Sequence, residues 1–66
     1  MKNTIKVQRA ILDITQEDLA KSIGVSRQTI NSIEKNRYVP STVLALKLST
    51  IFKTPVNDFF TLEEDD

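Results

Sequence analysis

Three side chains with strong hydrogen-bonding groups, Arg27, Gln28 and Asn31, lie within five residues of one another. On a helix they occupy the first turns, at positions i, i+1 and i+4. An arginine guanidinium suits guanine O6 and N7, whereas the carboxamides of glutamine and asparagine suit adenine N6 and N7. The simplest alternative is an ordinary solvated helix face. The chemistry of these residue types favours a surface that reads base edges in the major groove of DNA.

Further polar residues surround this group; two of them, Thr29 and Ser32, are further base-contact candidates, and the others suit contacts to phosphates. Gln16 lies at the start of the preceding helical segment, where backbone N–H groups and a side-chain amide can bind an anion. The simpler alternative, a plain helix-start residue, is less favoured. Thr29 and Ser32 are weaker candidates, for a thymine methyl group or a phosphate. The cations and donors that follow suit non-specific anchoring to a phosphate backbone. They are Lys35, Asn36, Arg37 and Tyr38.

Residues 16–35 must position these groups, and their pattern predicts two short helices joined by a tight turn. Ala20 is small where the two helices approach most closely, and Gly24 supplies the left-handed backbone that the turn needs. Apolar residues recur where two crossing helices face a common core. They are Leu19, Ile23, Val25, Ile30 and Ile33. The pattern predicts a helix-turn-helix.

Every other periodic segment also suits a helix. A first helix runs to about Leu12, with Ile5, Gln8 or Arg9, and Leu12 along one side. A fourth helix, in the residues after Pro40, carries a broad apolar face, and a short fifth helix follows it. The face of the fourth helix comprises Val43, Leu44, Leu46, Lys47, Leu48, Ile51 and Phe52. The fold class is therefore all-α, a compact bundle of five short helices, with a short β-strand at the ends of the chain at most.

Capping residues predict where these helices begin and end. Asn3 or Thr4 caps the first helix, and Asp13 ends it, because aspartate tolerates the left-handed conformation. Thr15 and Asp18 form a variant capping box. The remaining predicted caps are Ser26 for the third helix, Asn36 at its end, Ser41 for the fourth, and Thr54 for the fifth with Pro55 at its first position.

Composition limits the chemistry of this 66-residue chain, which is expected to form a single domain over residues 1–66. It contains no cysteine and no histidine, so we expect no disulfide, no conventional metal site, no cofactor and no enzymatic activity. No small-molecule ligand is evident. No apolar run approaches the roughly 18 residues of a membrane span, and the N-terminus lacks the apolar stretch of a signal peptide. A cytoplasmic protein is the expectation.

Charge is distributed unevenly, although the formal net charge is zero. Residues 1–57 contain all nine lysines and arginines but only four acids, a net charge of +5. The other five acids lie in residues 58–66, four of them in an acidic tail over residues 63–66. A basic body with an acidic tail indicates binding to a polyanion such as DNA. The tail could instead simply keep the chain soluble.

The helix-turn-helix segment and the residues on both sides of it closely resemble the phage Cro/cI repressor family, also called the xenobiotic-response-element family. The likeness extends from about residue 3 to residue 60 and is strongest to small stand-alone bacterial repressors. It departs from the usual pattern at Gln8, where the family has leucine, and at Asp13, where it has glycine or asparagine. The matching blocks are Arg9, residues 15–20, 26–31, 33–38, 40–41 and 44–47, and Phe52.

The resemblance implies a lambda-repressor-like DNA-binding fold and assigns several roles. Gln16 is expected to bind phosphate and to brace a residue of the recognition helix. Glu34 is expected to form a structural ion pair with Arg9. The implied partner is double-stranded DNA, bound by a repressor through the recognition helix, residues 27–35.

Proteins of this kind usually bind palindromic half-sites about one helical turn apart, as homodimers. We expect the dimer contact in the segment of about residues 54–62, with one phenylalanine closing the core and the other, with Leu62, near the contact. Control would come from protein concentration, competition at the promoter or an antagonist protein. A protein-interaction module, such as an antitoxin, is the alternative function. The expected dimer residues are Val56, Phe59, Phe60 and Leu62.

Overall fold

A computed structural model describes all 66 residues and contains five helices and two very short strands. In chain order, the elements are β1 (Lys2–Asn3), α1 (Ile5–Leu12), α2 (Gln16–Ile23), α3 (Arg27–Glu34), α4 (Thr42–Phe52), α5 (Val56–Phe59) and β2 (Phe60–Thr61). The strands pair antiparallel, with Lys2 opposite Thr61 and Asn3 opposite Phe60. The predicted five-helix bundle with a little terminal strand is confirmed. No helix has the length and apolarity needed to cross a bilayer.

Short polar side chains begin most of the helices, as the sequence predicts. The Thr15 hydroxyl accepts a hydrogen bond from the Asp18 N–H, and the Asp18 carboxylate accepts one from the Thr15 N–H, both at 3.0 Å. This capping box fixes the start of α2. The hydroxyls of Ser26 and Ser41 cap α3 and α4 in the same manner, at 3.2 Å.

Left-handed residues end or follow four of the helices. Gly24 has a φ of 74° in the turn between α2 and α3. A Cβ at this position would meet no atom within 4 Å, so glycine is needed there for its backbone freedom rather than for space. The predicted terminators Asp13 and Asn36 are confirmed, and Lys53 ends α4 in the same conformation, with φ values of 55°, 60° and 52°.

The start of α1 is capped by Asn3, one of its two predicted caps, and the start of α5 differs from the prediction. Thr4 occupies the N-cap position of α1 without a capping bond, and the Asn3 carboxamide oxygen accepts from the Ile5 N–H instead, at 3.2 Å. The fifth helix begins at Val56, so Pro55 is its N-cap rather than its first residue. Thr54 does not cap this helix, because its hydroxyl donates to the Phe52 carbonyl at 2.9 Å and closes the end of α4.

The core is formed by one stripe from each of α2, α3 and α4, together with single buried residues from α1 and α5. On α4 only Leu44, Leu48 and Phe52 are buried, so the predicted apolar face is narrower than expected. Val43 and Leu46 are 64% and 57% exposed because a helix turns only one row of i, i+4 positions toward its neighbours. The complete buried set is Ile5, Leu19, Ala20, Ile23, Ile30, Ile33, Leu44, Leu48, Phe52, Phe59 and Phe60.

The two adjacent phenylalanines both close this core. The Phe59 ring lies 5.1 Å from the Phe52 ring in an edge-to-face arrangement, and the Phe60 ring lies 5.1 Å from it in a tilted arrangement. The expectation that only one of them closes the core is therefore wrong. The chain becomes extended at Phe60 and pairs with β1, which turns the ring inward. Leu62, just beyond, is exposed.

Candidate nucleic-acid interface

The helix-turn-helix forms as residues 16–35 predict, and its packing decides which face of α3 is free. Leu19, Ala20 and Ile23 of α2 are buried against the core together with Ile30 and Ile33 of α3. Since Ile30 and Ile33 occupy the inner side of α3, the polar residues of its first turns remain on the outside. The helix is thus held by its apolar stripe and presents hydrogen-bonding groups to solvent.

Five polar side chains, from the start of α2, the first turns of α3 and the residue that ends α3, line one shallow depression on this outer surface, hereafter the recognition surface. Arg27 and Gln28 are exposed there, and neither side chain bonds to another residue of the chain. Asn31 is half-buried beside them. The structure therefore brings together the three principal candidates for base contacts and two of the residues selected for phosphate contacts, Gln16 and Lys35. The set is Gln16, Arg27, Gln28, Asn31 and Lys35.

A network of hydrogen bonds fixes the inner edge of the recognition surface. Gln16 Nε2 donates to Asn31 Oδ1 at 3.3 Å and to Glu34 Oε1 at 3.2 Å. Both protons of the Gln16 amide are therefore used within the protein. Asn31 is thereby held in one orientation, and this contact is the bracing that the family resemblance implies.

The ion pair between Arg9 and Glu34 lies behind this network. Arg9 Nε and Nη2 donate to the two carboxylate oxygens of Glu34 at 2.6 and 3.1 Å, and Nη1 donates to the Ile14 carbonyl at 3.2 Å. Hydrogen bonding to Glu34 raises the pKa of Arg9 above its ordinary value. The two side chains are only 14% and 9% exposed, so water screens the pair weakly. This bidentate pair joins α1 to α3.

Thr29 and Ser32 are less available than the three principal candidates. The Thr29 hydroxyl lies 3.0 Å from the Ser26 hydroxyl, at the start of α3, and both Thr29 and Ser32 are half-buried. Residues 35–38 follow directly and are all exposed. Hydrogen bonds from the N–H groups of Asn36 and Arg37 to the carbonyls of Ile33 and Ser32, at 3.0 and 2.9 Å, wrap this segment around the end of α3.

Two residues of the N-terminal segment reach this region, although nothing in the sequence marks them for it. The Asn3 amide donates to the Ile33 carbonyl at 2.8 Å and to Asn36 Oδ1 at 2.9 Å. Lys6 borders a second depression, with Gln16 and Lys35 on its other walls. The only signal at Asn3 is its capping position before α1, because a contact across thirty residues leaves no trace in local spacing.

The exposed polar face of α3, held by the turn at Gly24, defines a helix-turn-helix DNA-binding protein. The model of the helix-turn-helix family matches residues 5–59, and the chain belongs to this family, of the Cro/cI type. It is a DNA-binding helix-turn-helix transcriptional regulator.

Relatives of similar length occur in archaea and in bacteria. The chain is 52% identical to an uncharacterised HTH-type transcriptional regulator of Methanocaldococcus jannaschii, over the full length of both proteins. It is 47% identical to the uncharacterised HTH-type transcriptional regulator YgzD of Bacillus subtilis, again over both full lengths. A third relative, the ImmF control region 10 kDa protein of Bacillus phage phi105, is 32% identical over 53 residues, which are 80% of this chain and 59% of the phage protein.

Proposed function

We propose that this regulator is a repressor that binds a palindromic operator as a homodimer, with α3 of each copy in the major groove. The observation that carries the proposal is the pairing of two unbonded side chains, Arg27 and Gln28, with a braced one, Asn31. Arg27 reads guanine, and the two carboxamides read adenine. Thr29 and Ser32 contribute weaker contacts, to a thymine methyl group or a phosphate.

Phosphate contacts flank the base-reading residues on both sides. The first backbone N–H groups of α2, at Gln16, face the phosphates of one DNA strand. The positive end of the helix dipole favours an anion there. Residues 35–38 supply Lys35, Asn36, Arg37 and Tyr38 at the other end of α3. The net charge of +5 over residues 1–57 attracts the duplex over a longer range.

A homodimer requires a surface that tolerates its own copy across a two-fold axis. An apolar groove between the linker after α3, α4 and the end of α5 meets this requirement, because no charged side chain lines it. We place the dimer contact there, which retains Val56 and the edge of Phe60 from the expected segment and adds exposed residues of α4. The groove is lined by Met1, Val39, Pro40, Thr42, Ala45, Leu46, Val56 and Phe60.

Leu62 is the competing centre for a dimer contact, since it is 78% exposed. Four acids follow it directly, and a two-fold axis at Leu62 would bring the two acidic tails together. No charged side chain lines the groove itself. The groove also begins at Val39, immediately after the phosphate-contacting residues 35–38, so a dimer formed there places the two DNA-binding ends side by side.

The location of the dimer contact is tested by placing a charge at each centre. Leu46→Glu should convert the dimer to a monomer at micromolar concentration, measured by sedimentation equilibrium, while Leu62→Glu should leave it dimeric. Both side chains are exposed in the monomer, so neither variant should lose its helical circular dichroism. The reverse result would move the contact to Leu62, and a monomeric wild-type protein would refute the dimer.

The operator is tested by selecting bound duplexes from a random library at about 0.15 M salt, where weak electrostatic binding is suppressed. An inverted repeat with half-sites about one helical turn apart is expected. Enrichment of a single half-site would contradict dimeric binding, and no enrichment would contradict sequence reading by α3. Transcription in vitro from a promoter that overlaps the selected site should fall as protein is added; a rise would identify an activator.

A further inference from the structure

The carboxamide of Asn3 makes three hydrogen bonds that link two distant parts of the chain. Its oxygen accepts from the Ile5 N–H at 3.2 Å, at the start of α1. Its nitrogen donates to the Ile33 carbonyl at 2.8 Å and to Asn36 Oδ1 at 2.9 Å, at the end of α3. Both amide protons and one oxygen lone pair are used, so the side chain has a single orientation.

Asn3 bonds to Ile33 and Asn36, and these two residues set the path of the chain over residues 35–38. The Ile33 carbonyl is one of the last of α3, and it also accepts from the Asn36 N–H at 3.0 Å. Asn36 has left-handed backbone, with a φ of 60°, and turns the chain away from the helix axis. An asparagine in this conformation is less favourable than glycine, so a bond to its side chain helps to keep the turn in place.

Asn3 is itself held firmly by the pairing of the two chain ends. It lies opposite Phe60 in the β1–β2 pair, and the next N–H, that of Thr4, donates to the Phe59 carbonyl at 2.9 Å. The ammonium of Met1 adds ion pairs of 3.1 and 3.0 Å to Glu63 and Asp66. The amide therefore projects from a fixed strand onto the end of α3.

We propose that Asn3 is a positioning residue for DNA binding: its amide holds the end of α3 and the turn at Asn36, and so sets residues 35–38 against the phosphate backbone. The inference rests on the proposed function, because it needs those residues to contact phosphates. Asn3 touches no DNA in this arrangement. It acts by keeping Lys35, Arg37 and their neighbours at the separation that the duplex requires.

The test is the salt dependence of operator binding by Asn3→Ala, with Thr4→Ala as the matched control. Thr4 is the adjacent residue, and its side chain makes no capping bond. Loss of one phosphate contact flattens the slope of log K against log salt by about one. We expect this flattening and about a tenfold loss of affinity for Asn3→Ala, and no change for Thr4→Ala.

A second variant separates this role from the capping of α1. Asn3→Asp keeps an acceptor for the Ile5 N–H but turns a carboxylate toward the Ile33 carbonyl and Asn36 Oδ1, which are also acceptors. It should show the loss of affinity that we expect of Asn3→Ala. It also provides the test in the case that Asn3→Ala does not fold. Thr4→Asp adds the same charge one residue further along, and any loss it shows is subtracted as the effect of charge.

The wild-type protein separates the inference from the proposed function. If it binds its selected operator no better than random DNA, the proposed function fails and the inference fails with it. If the wild type binds specifically and the Asn3 variants keep its salt slope and its affinity, with only the melting temperature lowered, Asn3 is merely structural and the inference alone is overturned.

Discussion

Nε of Arg9 lies 2.6 Å from Oε2 of Glu34, and this contact fixes the recognition helix to the first helix of the bundle. Glu34 is the last residue of α3, and its other oxygen also accepts from Gln16 at the start of α2. One carboxylate therefore joins three helices. The orientation of α3 is set within the protein before DNA is bound, which lowers the entropy that binding must overcome.

Removal of this carboxylate should destabilise the fold markedly. Glu34→Ala leaves the guanidinium of Arg9 and the amide of Gln16 without their partner, and we expect a loss of about 2–3 kcal/mol in the free energy of unfolding. Glu17→Ala is the control, because its pair with Lys21 is 3.9 Å long and exposed; it should change stability by less than about 0.5 kcal/mol. Urea denaturation measures both. Equal effects would show that the Arg9 pair contributes no more than a surface contact.

Truncation of a base-reading side chain should reduce sequence preference. Arg27→Ala or Gln28→Ala should cost roughly 1–3 kcal/mol on the selected operator and relax the preference at one position of each half-site. Neither side chain bonds within the protein, so the melting temperature should be unchanged. Binding isotherms on operator and on random duplex measure the effect. Equal losses on the two duplexes would refute base reading by these residues.

Truncation of a phosphate contact should act differently. Arg37→Ala should weaken binding to operator and random duplexes alike and flatten the salt slope by about one. The side chain is exposed and follows the end of α3, so the fold should not change. Titrations at several salt concentrations give the slope. An unchanged slope would argue that Arg37 lies away from the backbone of the duplex.

Substitution of Asp13 should stabilise the protein. Asp13 ends α1 in left-handed conformation with φ of 55°, where glycine is favoured, and its negative charge lies at the negative end of the helix dipole. Asp13→Gly should therefore raise the free energy of unfolding by about 1 kcal/mol. Asp13→Asn removes only the charge and should give a smaller gain. A loss of stability in Asp13→Gly would mean that the flexibility of unfolded glycine outweighs both effects.

The capping box of α2 should make stability depend on acid pH. Hydrogen bonds from the Thr15 backbone N–H and the Thr15 hydroxyl lower the pKa of Asp18 below its ordinary value of 3.8. Because the folded pKa lies below the unfolded one, the stabilisation is complete above about pH 4 and is lost as the pH falls through the folded pKa.

Melting temperatures of the wild type and Asp18→Asn test this dependence. The wild type should melt higher at pH 7, and the gap should narrow as the pH falls below 3.8 and through the folded pKa of Asp18. Asp65→Asn, whose side chain makes no hydrogen bond, should match the wild type at pH 7. A gap of constant size across the acid range would show that the Asp18 charge is not the cause.

Local signals in the sequence were sufficient for the number and order of the helices, for the starts of α2, α3 and α4, and for the exposed face of α3. Thr15 with Asp18, Ser26 and Ser41 cap helices through bonds spanning three residues, so their spacing is visible in the chain. Asn3 bonds to residues thirty and more positions away, and Phe60 is buried by the pairing of the chain ends. Both facts depend on tertiary arrangement. For this reason neither the hydrogen bonds from Asn3 to the end of α3 nor the burial of both Phe59 and Phe60 could be predicted.

The bonding of the recognition surface also bears on how operator preference can evolve. Gln16 and Asn31 are tied to one another and to the ion pair behind them, so a substitution there disturbs the scaffold. Arg27 and Gln28 are tied to nothing. Descendants of one ancestral gene can exchange these two residues without loss of folding stability, and regulators that diverge after duplication can acquire separate operators while the body of the protein stays the same.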